Sequence, residues 1–382
     1  MRKIFPARHL LSVFLAAIIV LLALQNGHTQ TDSRYNNAVE KSKEAIAEEM
    51  ATHKLPGLSV AVAVDGKIVW SEGFGLADIE KKVPVTTGTR FRIASTSKPI
   101  TATAMAKLYE QGKLDIDAPI QKYVPYFPEK KEGIITARQL VGSLSGIRHY
   151  RRDPDPAKDE FFSRKTYYET TKDAVREFEN DPLDFVPGSQ YGYSSYGFTL
   201  LSAAIEGASG EDFLTYLQKE IFAPLKMHST GADINKKIIP NRAGFYSLEN
   251  KTEIINAPYI DYSISWGGGG FISTPEDLVR FGSALLEPGF LKEETLREMF
   301  TSQRTSDGTP TGIGFAWRVI EGKNGLYYYH PGEAVGGRSY LVIYPKQKLV
   351  VSLVHNLTGG SLNAGVKVSD IFIEEIDSSS KK

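Results

Sequence analysis

The chain has 382 residues, 45 Lys and Arg balanced by 45 Asp and Glu, 41% hydrophobic residues and no cysteine. That length and apolar content can supply a large core. The balanced charge, with no basic run beyond Arg148 to Arg152, argues against a nucleic-acid partner. Without cysteine there are no disulfides or thiolate sites, and the histidines (His9, His28, His53, His149, His228, His330, His355) lack metal-ligand spacing, so no metal or other cofactor is expected.

The N-terminus carries Arg2, Lys3, Arg8 and His9, then the apolar run Leu10 to Leu24, then Gln25-Asn26-Gly27-His28. A short basic region followed by such a run reads as a secretory signal within residues 1–29, which predicts export to the periplasm or beyond the cell. There is no lipobox cysteine and no clean small-x-small cleavage site. An uncleaved anchor, with membrane association through residues 10–24, is therefore the alternative, although the run is short for a span of about 20 residues.

Asn36 to Thr52 has helical patterning, with Val39, Ile46 and Met50 on one face. Leu58 to Val64, then Asp65-Gly66, then Lys67 to Trp70 is a hairpin with a type I′ turn signal. Arg90 to Ile93 reads as extended. Ile100 to Gln111 reads as a helix that Gly112 ends. Where that helix begins stands Ser95-Thr96-Ser97-Lys98. A three-residue offset on a helix puts both side chains on one face, and free N–H groups at a helix start favour developing negative charge. A lysine whose charge is suppressed by burial or positive neighbours can take the proton of a serine. Alone, the pattern is also that of an N-cap followed by a solvated lysine.

Further along, Arg148 to Arg152 reads as a solvated loop beside the mouth of a site. Asp153 to Thr171, with Pro154 and Pro156, reads as a loop and short helix over a cleft, or as a passive loop. Gly267 to Gly270 lacks the Lys-Ser/Thr pair of a phosphate loop and is expected to allow close backbone packing, with Ser273, Thr274 and Asp277 capping the next helix. Tyr123, Tyr126 and Tyr327 to Tyr329 are expected in the core or the cleft wall. Strands are predicted over Ile313–Val319, Leu326–His330, Arg338–Tyr344 and Leu349–His355, then a helix over Val366–Ile376 and a disordered tail over 378–382. Strands at both ends around a helical middle predict an α+β fold. One antiparallel sheet is built from both chain ends and flanked by helices, with a helical subdomain inserted. No linker divides residues 30–377, which read as a single catalytic domain with its site at the junction of the two subregions.

Three segments carry a family resemblance: Phe91-Arg92-Ile93-Ala94-Ser95 with Lys98; Pro187 to Gly197 leading into Phe198 to Ala204; and His330-Pro331-Gly332-Glu333 before Gly336-Gly337-Arg338-Ser339. Together they resemble the signature elements of the serine β-lactamase and penicillin-binding-protein superfamily, in the branch related to class C β-lactamases that includes esterases and D-amino-acid peptidases. The likeness runs from about Leu55 to Asn356 and includes Trp70-Ser71-Glu72-Gly73, Leu144 to Tyr150 and Gly268-Gly269-Gly270-Phe271. It implies that Ser95 is the acylated nucleophile, Lys98 its proton-transfer partner and Tyr193 a general acid/base. The backbone N–H groups of Ser95 and Glu333 would form the oxyanion hole, next to Gly332. A phenol with an ordinary pKa near ~10 would act there only if cations stabilise its anion.

Three departures stand out. Ser195 replaces the motif asparagine. His330 replaces the strand lysine, removing a permanent charge that would grip a substrate carboxylate; its ring would donate a hydrogen bond or tune Tyr193. Glu333 replaces a small residue and predicts a narrowed or acidic pocket. The reading is an exported serine hydrolase acting on a small-molecule or peptide substrate through an acyl-enzyme. Peptides come first, then esters, then β-lactams or cell-wall peptides with poor β-lactam turnover. A catalytically inactive binding protein is the alternative from another class. Oligomeric state is not readable from the sequence.

Overall fold

The computed structural model describes residues 30–155 and 157–379, so the signal or anchor predicted for 1–29 and the last three residues of the predicted tail lie outside the described residues. Among the described residues, no helix is long and apolar enough to cross a membrane.

The strands in chain order are β1 (Gln30–Thr31), β2 (Gly57–Val64), β3 (Lys67–Asp78), β4 (Val83–Pro84), β5 (Phe91–Arg92), β6 (Gly231–Ala232), β7 (Tyr246–Glu249), β8 (Glu253–Asn256), β9 (Phe271–Ser273), β10 (Arg318–Gly322), β11 (Gly325–Ala334), β12 (Gly337–Tyr344) and β13 (Leu349–His355). The main sheet runs β1-β3-β2-β13-β12-β11-β10, with β4 on β3, and all its pairings are antiparallel. The two chain ends therefore meet where β2 pairs with β13, Leu58 opposite His355. The β2–β3 turn is the predicted one: Asp65 and Gly66 have φ of 49° and 72°, as a type I′ turn demands.

β2 is buried along its whole length because the sheet is covered on both faces. Leu58, Val60, Val62 and Val64 join Tyr340, Val342, Val351 and Leu353 against α1 (Asn36–His53) and the C-terminal helix. Ala61 and Ala63, with Leu341, Ile343, Val350 and Val354, face the helical middle of the chain. This is the period of two by which successive strand residues alternate faces.

Around the helical middle lie α2 (Ser97–Glu110), α3 (Ala137–Val141), α4 (Glu160–Ser163), α5 (Thr171–Val175), α6 (Ser195–Ser209), α7 (Phe213–Leu217), α8 (Trp266–Gly269), α9 (Pro275–Ala284) and α10 (Glu293–Met299). α9 is capped by Thr274, whose side chain accepts from the Asp277 N–H, as predicted. The last helix, α11 (Asn363–Ser379), packs back on α1.

Three predicted boundaries are corrected. The strand expected over 313–319 begins only at Arg318, because Ala316 adopts a left-handed φ of 63° and turns the chain inward. Trp317 is thereby buried, its ring 6.4 Å from Phe281 and 5.8 Å from Phe300. The next strand extends past His330 to Ala334, carrying the whole His-Pro-Gly-Glu motif. The C-terminal helix continues through Ser378 and Ser379, which the sequence reading placed in the disordered tail.

Candidate active site

The serine-lysine pair sits on a tight entry to α2. Ala94 to Thr96 form a single 3-10 turn, and the α-helix proper starts at Ser97, one turn earlier than the apolar spacing predicts. Ser95 thus lies in that turn, just ahead of the helix. Ala94 is held at φ 49°, a left-handed conformation that costs a side-chain-bearing residue about 1 kcal/mol or more.

The surrounding elements hold this turn in place. The Ile93 N–H donates to the Phe271 carbonyl at 3.0 Å, and the Ser97 hydroxyl donates to the Ala94 carbonyl at 2.7 Å. Ser339 on β12 donates to the Ile93 carbonyl at 2.6 Å and lies 2.7 Å from the Thr96 hydroxyl. Beneath it, buried Arg92 donates to Asp233 and to the Val335 carbonyl, both at 2.7 Å, with its guanidinium 3.6 Å above the Phe245 ring. Gly332 leaves no room for a side chain, since a Cβ there would stand 2.2 Å from the Ile93 carbonyl oxygen. The nucleophile turn and the motif strand β11 therefore touch main chain to main chain.

Sequence separations near a hundred residues close at Ser95. Its Oγ lies 3.1 Å from Lys98 Nζ and accepts a 2.7 Å hydrogen bond from the Tyr193 hydroxyl. Lys98 Nζ also lies 3.0 Å from Ser195 Oγ and donates to the Gly268 carbonyl. Tyr193 immediately precedes α6, whose N-cap Ser194 accepts from the Gly197 N–H.

Burial, with the Arg164 charge adding to it, holds the Lys98 ammonium far below the usual lysine pKa. A neutral amine has two N–H donors and one lone pair. Three oxygens surround Nζ, the Gly268 carbonyl and the Ser195 and Ser95 hydroxyls, and with the amine neutral its lone pair can face the Ser95 hydroxyl. Burial pushes the Tyr193 phenol upward, against the opposite pull of its bond to Ser95. Burial favours the neutral phenol at Tyr193 and the neutral amine at Lys98. Two titratable groups whose environments push them to opposite roles are the mark of an acid/base pair.

His330 lies buried on β11, its Nδ1 2.7 Å from the Pro331 carbonyl, and burial pushes its pKa well below the ordinary histidine value. The ring stays neutral at physiological pH, so it supplies neither a cation nor a switch. This narrows the sequence reading, which allowed both charge states.

A cavity of about 440 Å³ opens over Ser95, lined by Tyr193, Ser195, Gly268, His330, Gly332 and Glu333 among others. The predicted site residues that line it are thus brought together, and Lys98 lies buried beneath them.

Its remaining wall was not foreseen. Four arginines line it: Arg152, Arg164, Arg318 and Arg338. Arg152 pairs with Asp159 at 2.9 Å, and Arg338 lies 3.8 Å from Glu333. Among the described residues, Arg164 and Arg318 have no acidic partner. In the sequence, Glu333 predicts a narrowed or acidic pocket; the wall instead carries an excess of arginines over carboxylates.

The Arg148 to Arg152 stretch lies at the site, as expected, with Arg151 and Arg152 solvated but Arg148 largely buried. Arg148 is fastened to Glu160 at 2.9 Å and to Asp181, and His149, Tyr150 and Arg152 line the cavity. From the Asp153 to Thr171 segment, Phe161 and Arg164 form part of the wall, as a loop over the cleft requires. Tyr327 to Tyr329 lie on β11 and pack against the core, as one of the two expectations has it, Tyr328 stacking on Phe300 at 3.8 Å between ring centres.

Comparison with known proteins agrees with this architecture. The Beta-lactamase family matches residues 43–367. The chain is 35% identical to the human "Serine beta-lactamase-like protein LACTB, mitochondrial", over 86% of this chain and 78% of that protein. Among solved structures, the octameric penicillin-binding protein homologue from Pyrococcus abyssi superposes with a TM-score of 0.71 at 25% identity, covering 90% of this chain and 78% of that one. A D-stereospecific amidohydrolase from Streptomyces sp. does so with a TM-score of 0.72 at 25% identity, covering 86% and 97%. With a matched family profile over most of its length and a cavity built over the serine of that family's motif, the chain belongs to the beta-lactamase family of serine hydrolases.

Proposed function

We propose that the protein is an exported serine peptidase that cleaves amide bonds in substrates bearing an anionic group, through an acyl-enzyme on Ser95. The observation that carries this reading is the hydrogen-bonded chain Tyr193–Ser95–Lys98, with the phenol protonated and the amine neutral. Ser95 Oγ attacks the carbonyl carbon while its proton passes to Lys98. The backbone N–H groups of Ser95 and Glu333 receive the developing oxyanion, an interaction typically worth a few kcal/mol per donor. The C–N bond then breaks as Tyr193 protonates the leaving amine, and the proton held on Lys98 restores the phenol. Water repeats the sequence on the ester and releases Ser95.

The anionic preference follows from the cavity. With Lys98 neutral, Arg152 paired with Asp159 and Arg338 near Glu333, Arg164 and Arg318 are left without an acidic partner among the described residues, and such a cleft concentrates anions. A panel of peptide anilides and p-nitrophenyl esters tests the reading. Peptides with an acidic residue are expected to exceed their neutral counterparts by at least about tenfold in kcat/KM, with the advantage shrinking in high salt. With Ser195 and His330 replacing asparagine and lysine, nitrocefin turnover is expected to be poor. Efficient nitrocefin hydrolysis, or a preference for neutral esters, overturns the assignment.

Export rests on the basic start and the apolar run Leu10 to Leu24. An alkaline phosphatase fusion, active only after export, should be active when joined behind residue 29 of this chain. Activity confined to a cytosolic reporter refutes it.

A further inference from the structure

We propose that His149 and His330 are locked as opposite tautomers, and that this fixed pair, a donor at His149 and an acceptor at His330, sets how a substrate lies across Ser95. The proposal rests on the hydrolase reading above and adds His149 to the residues that position the substrate.

The assignment follows from what each ring is bonded to. His149 Nδ1 accepts the backbone N–H of Ser195 at 3.2 Å. An N–H can only donate, so Nδ1 must carry a lone pair, and in the neutral ring the proton sits on Nε2. His330 is the reverse. Its Nδ1 lies 2.7 Å from the Pro331 carbonyl, which can only accept, so Nδ1 carries the proton and Nε2 the lone pair. Both rings border the cavity over Ser95, and among the described residues neither Nε2 has a hydrogen-bond partner. The cavity therefore meets a fixed N–H from one histidine and a fixed lone pair from the other.

Neither ring can exchange roles by taking a proton near neutral pH. Burial, with the Arg164 charge adding to it, pushes His149 well below the ordinary histidine pKa, and burial does the same to His330. Packing fixes the His149 ring further: it lies 4.3 Å from the Tyr150 ring and meets Tyr193 edge-on at 5.3 Å and 85°.

A substrate that fits both groups presents an oxygen acceptor to His149 and a donor to His330. A peptide does so with a carbonyl and an N–H on either side of the scissile bond. A simple ester lacks the N–H, and a small acetyl ester lacks the second carbonyl as well. A mispaired group, lone pair against lone pair, leaves a desolvated polar atom without a partner, which is how such sites reject analogues.

Two experiments decide the matter. Long-range 1H–15N spectra of the full-length protein labelled with 15N-histidine, recorded from about pH 5 to 8, report which nitrogen of each neutral ring is protonated. His149→Gln and His330→Gln assign the signals by their disappearance. The expected result is a lone pair on Nδ1 of His149 and on Nε2 of His330, with neither ring titrating. A shared tautomer, or titration of either ring in that range, overturns the proposal. In the second experiment, His149→Phe keeps a ring against Tyr193 and removes both nitrogens. Its loss in kcat/KM is expected to be about 10- to 100-fold greater on an N-acyl dipeptide anilide than on p-nitrophenyl acetate. Equal losses on the two would show that His149 merely props Tyr193. The spectra need no turnover, so they stand or fall separately from the peptidase assignment.

Discussion

Ser95→Ala is expected to abolish acyl-enzyme formation and to lower turnover by roughly five to six orders of magnitude, the scale on which removing a serine nucleophile acts in other hydrolases. The fold should survive. The 3-10 turn around residue 95 is held by Ile93, Ala94, Ser97 and Ser339, none of whose bonds involve the Ser95 hydroxyl. A fluorophosphonate probe with mass spectrometry locates the adduct, and circular dichroism confirms folding. Labelling at another serine, or wild-type turnover by the folded variant, would falsify the mechanism.

The second large effect belongs to Lys98. Lys98→Met and Tyr193→Phe should each lower acylation by about two to four orders of magnitude, the usual worth of a positioned acid or base. Because the two act on one proton path, the double variant should be little slower than the poorer single one.

Stability should move the other way. In the folded protein Lys98 is held neutral, whereas the unfolded chain protonates it below the ordinary lysine pKa near ~10.4. Wherever the unfolded state binds the extra proton, stability rises with pH, so at neutral pH the wild-type lysine is a destabilising element. Lys98→Met removes that term and fills the same space. It should raise unfolding stability at pH 7 to the extent that this relief exceeds the cost of leaving the Gly268 carbonyl without its donor, and any gain should shrink as pH climbs past the unfolded lysine value. Urea melts at neutral and at strongly alkaline pH measure both.

Local pattern carried much of this protein. The β2–β3 hairpin, the helix after Ser95 and the α9 cap could be read because each is decided by neighbouring residues: Asp65-Gly66, the spacing of Ile100, Ala104 and Leu108, and Thr274 with Asp277. The strand motif and the tyrosine motif were legible as family likenesses. What escaped was decided by tertiary proximity.

Nothing local to Gly268 marks its carbonyl as the acceptor for Lys98, 170 residues away. Arg164 and Arg318 come from segments more than 150 residues apart, and nothing in the sequence brings them to one cleft. His149 lies within a family-like segment and a basic stretch, but the sequence reading assigns it no role, because charge pattern suggests solvent and the surrounding Glu160 and Asp181 are out of view. The strand misplaced at 313–319 failed for a related reason: its apolar residues serve a buried loop, and hydrophobic pattern alone does not separate the two.

The pairing of β2 with β13 also sets a timetable. Leu58 meets His355, so the middle of the main sheet closes only after nearly the whole chain has left the ribosome. Until then β2, apolar on both faces, has only the hairpin partner β3. Pairings of such long range raise the entropic barrier to folding and delay it. A polypeptide that stops short of β13 keeps its serine, lysine and tyrosine motifs yet lacks the strand that closes its sheet. Premature termination anywhere before Leu349 should therefore yield an insoluble, protease-sensitive product instead of a shortened enzyme.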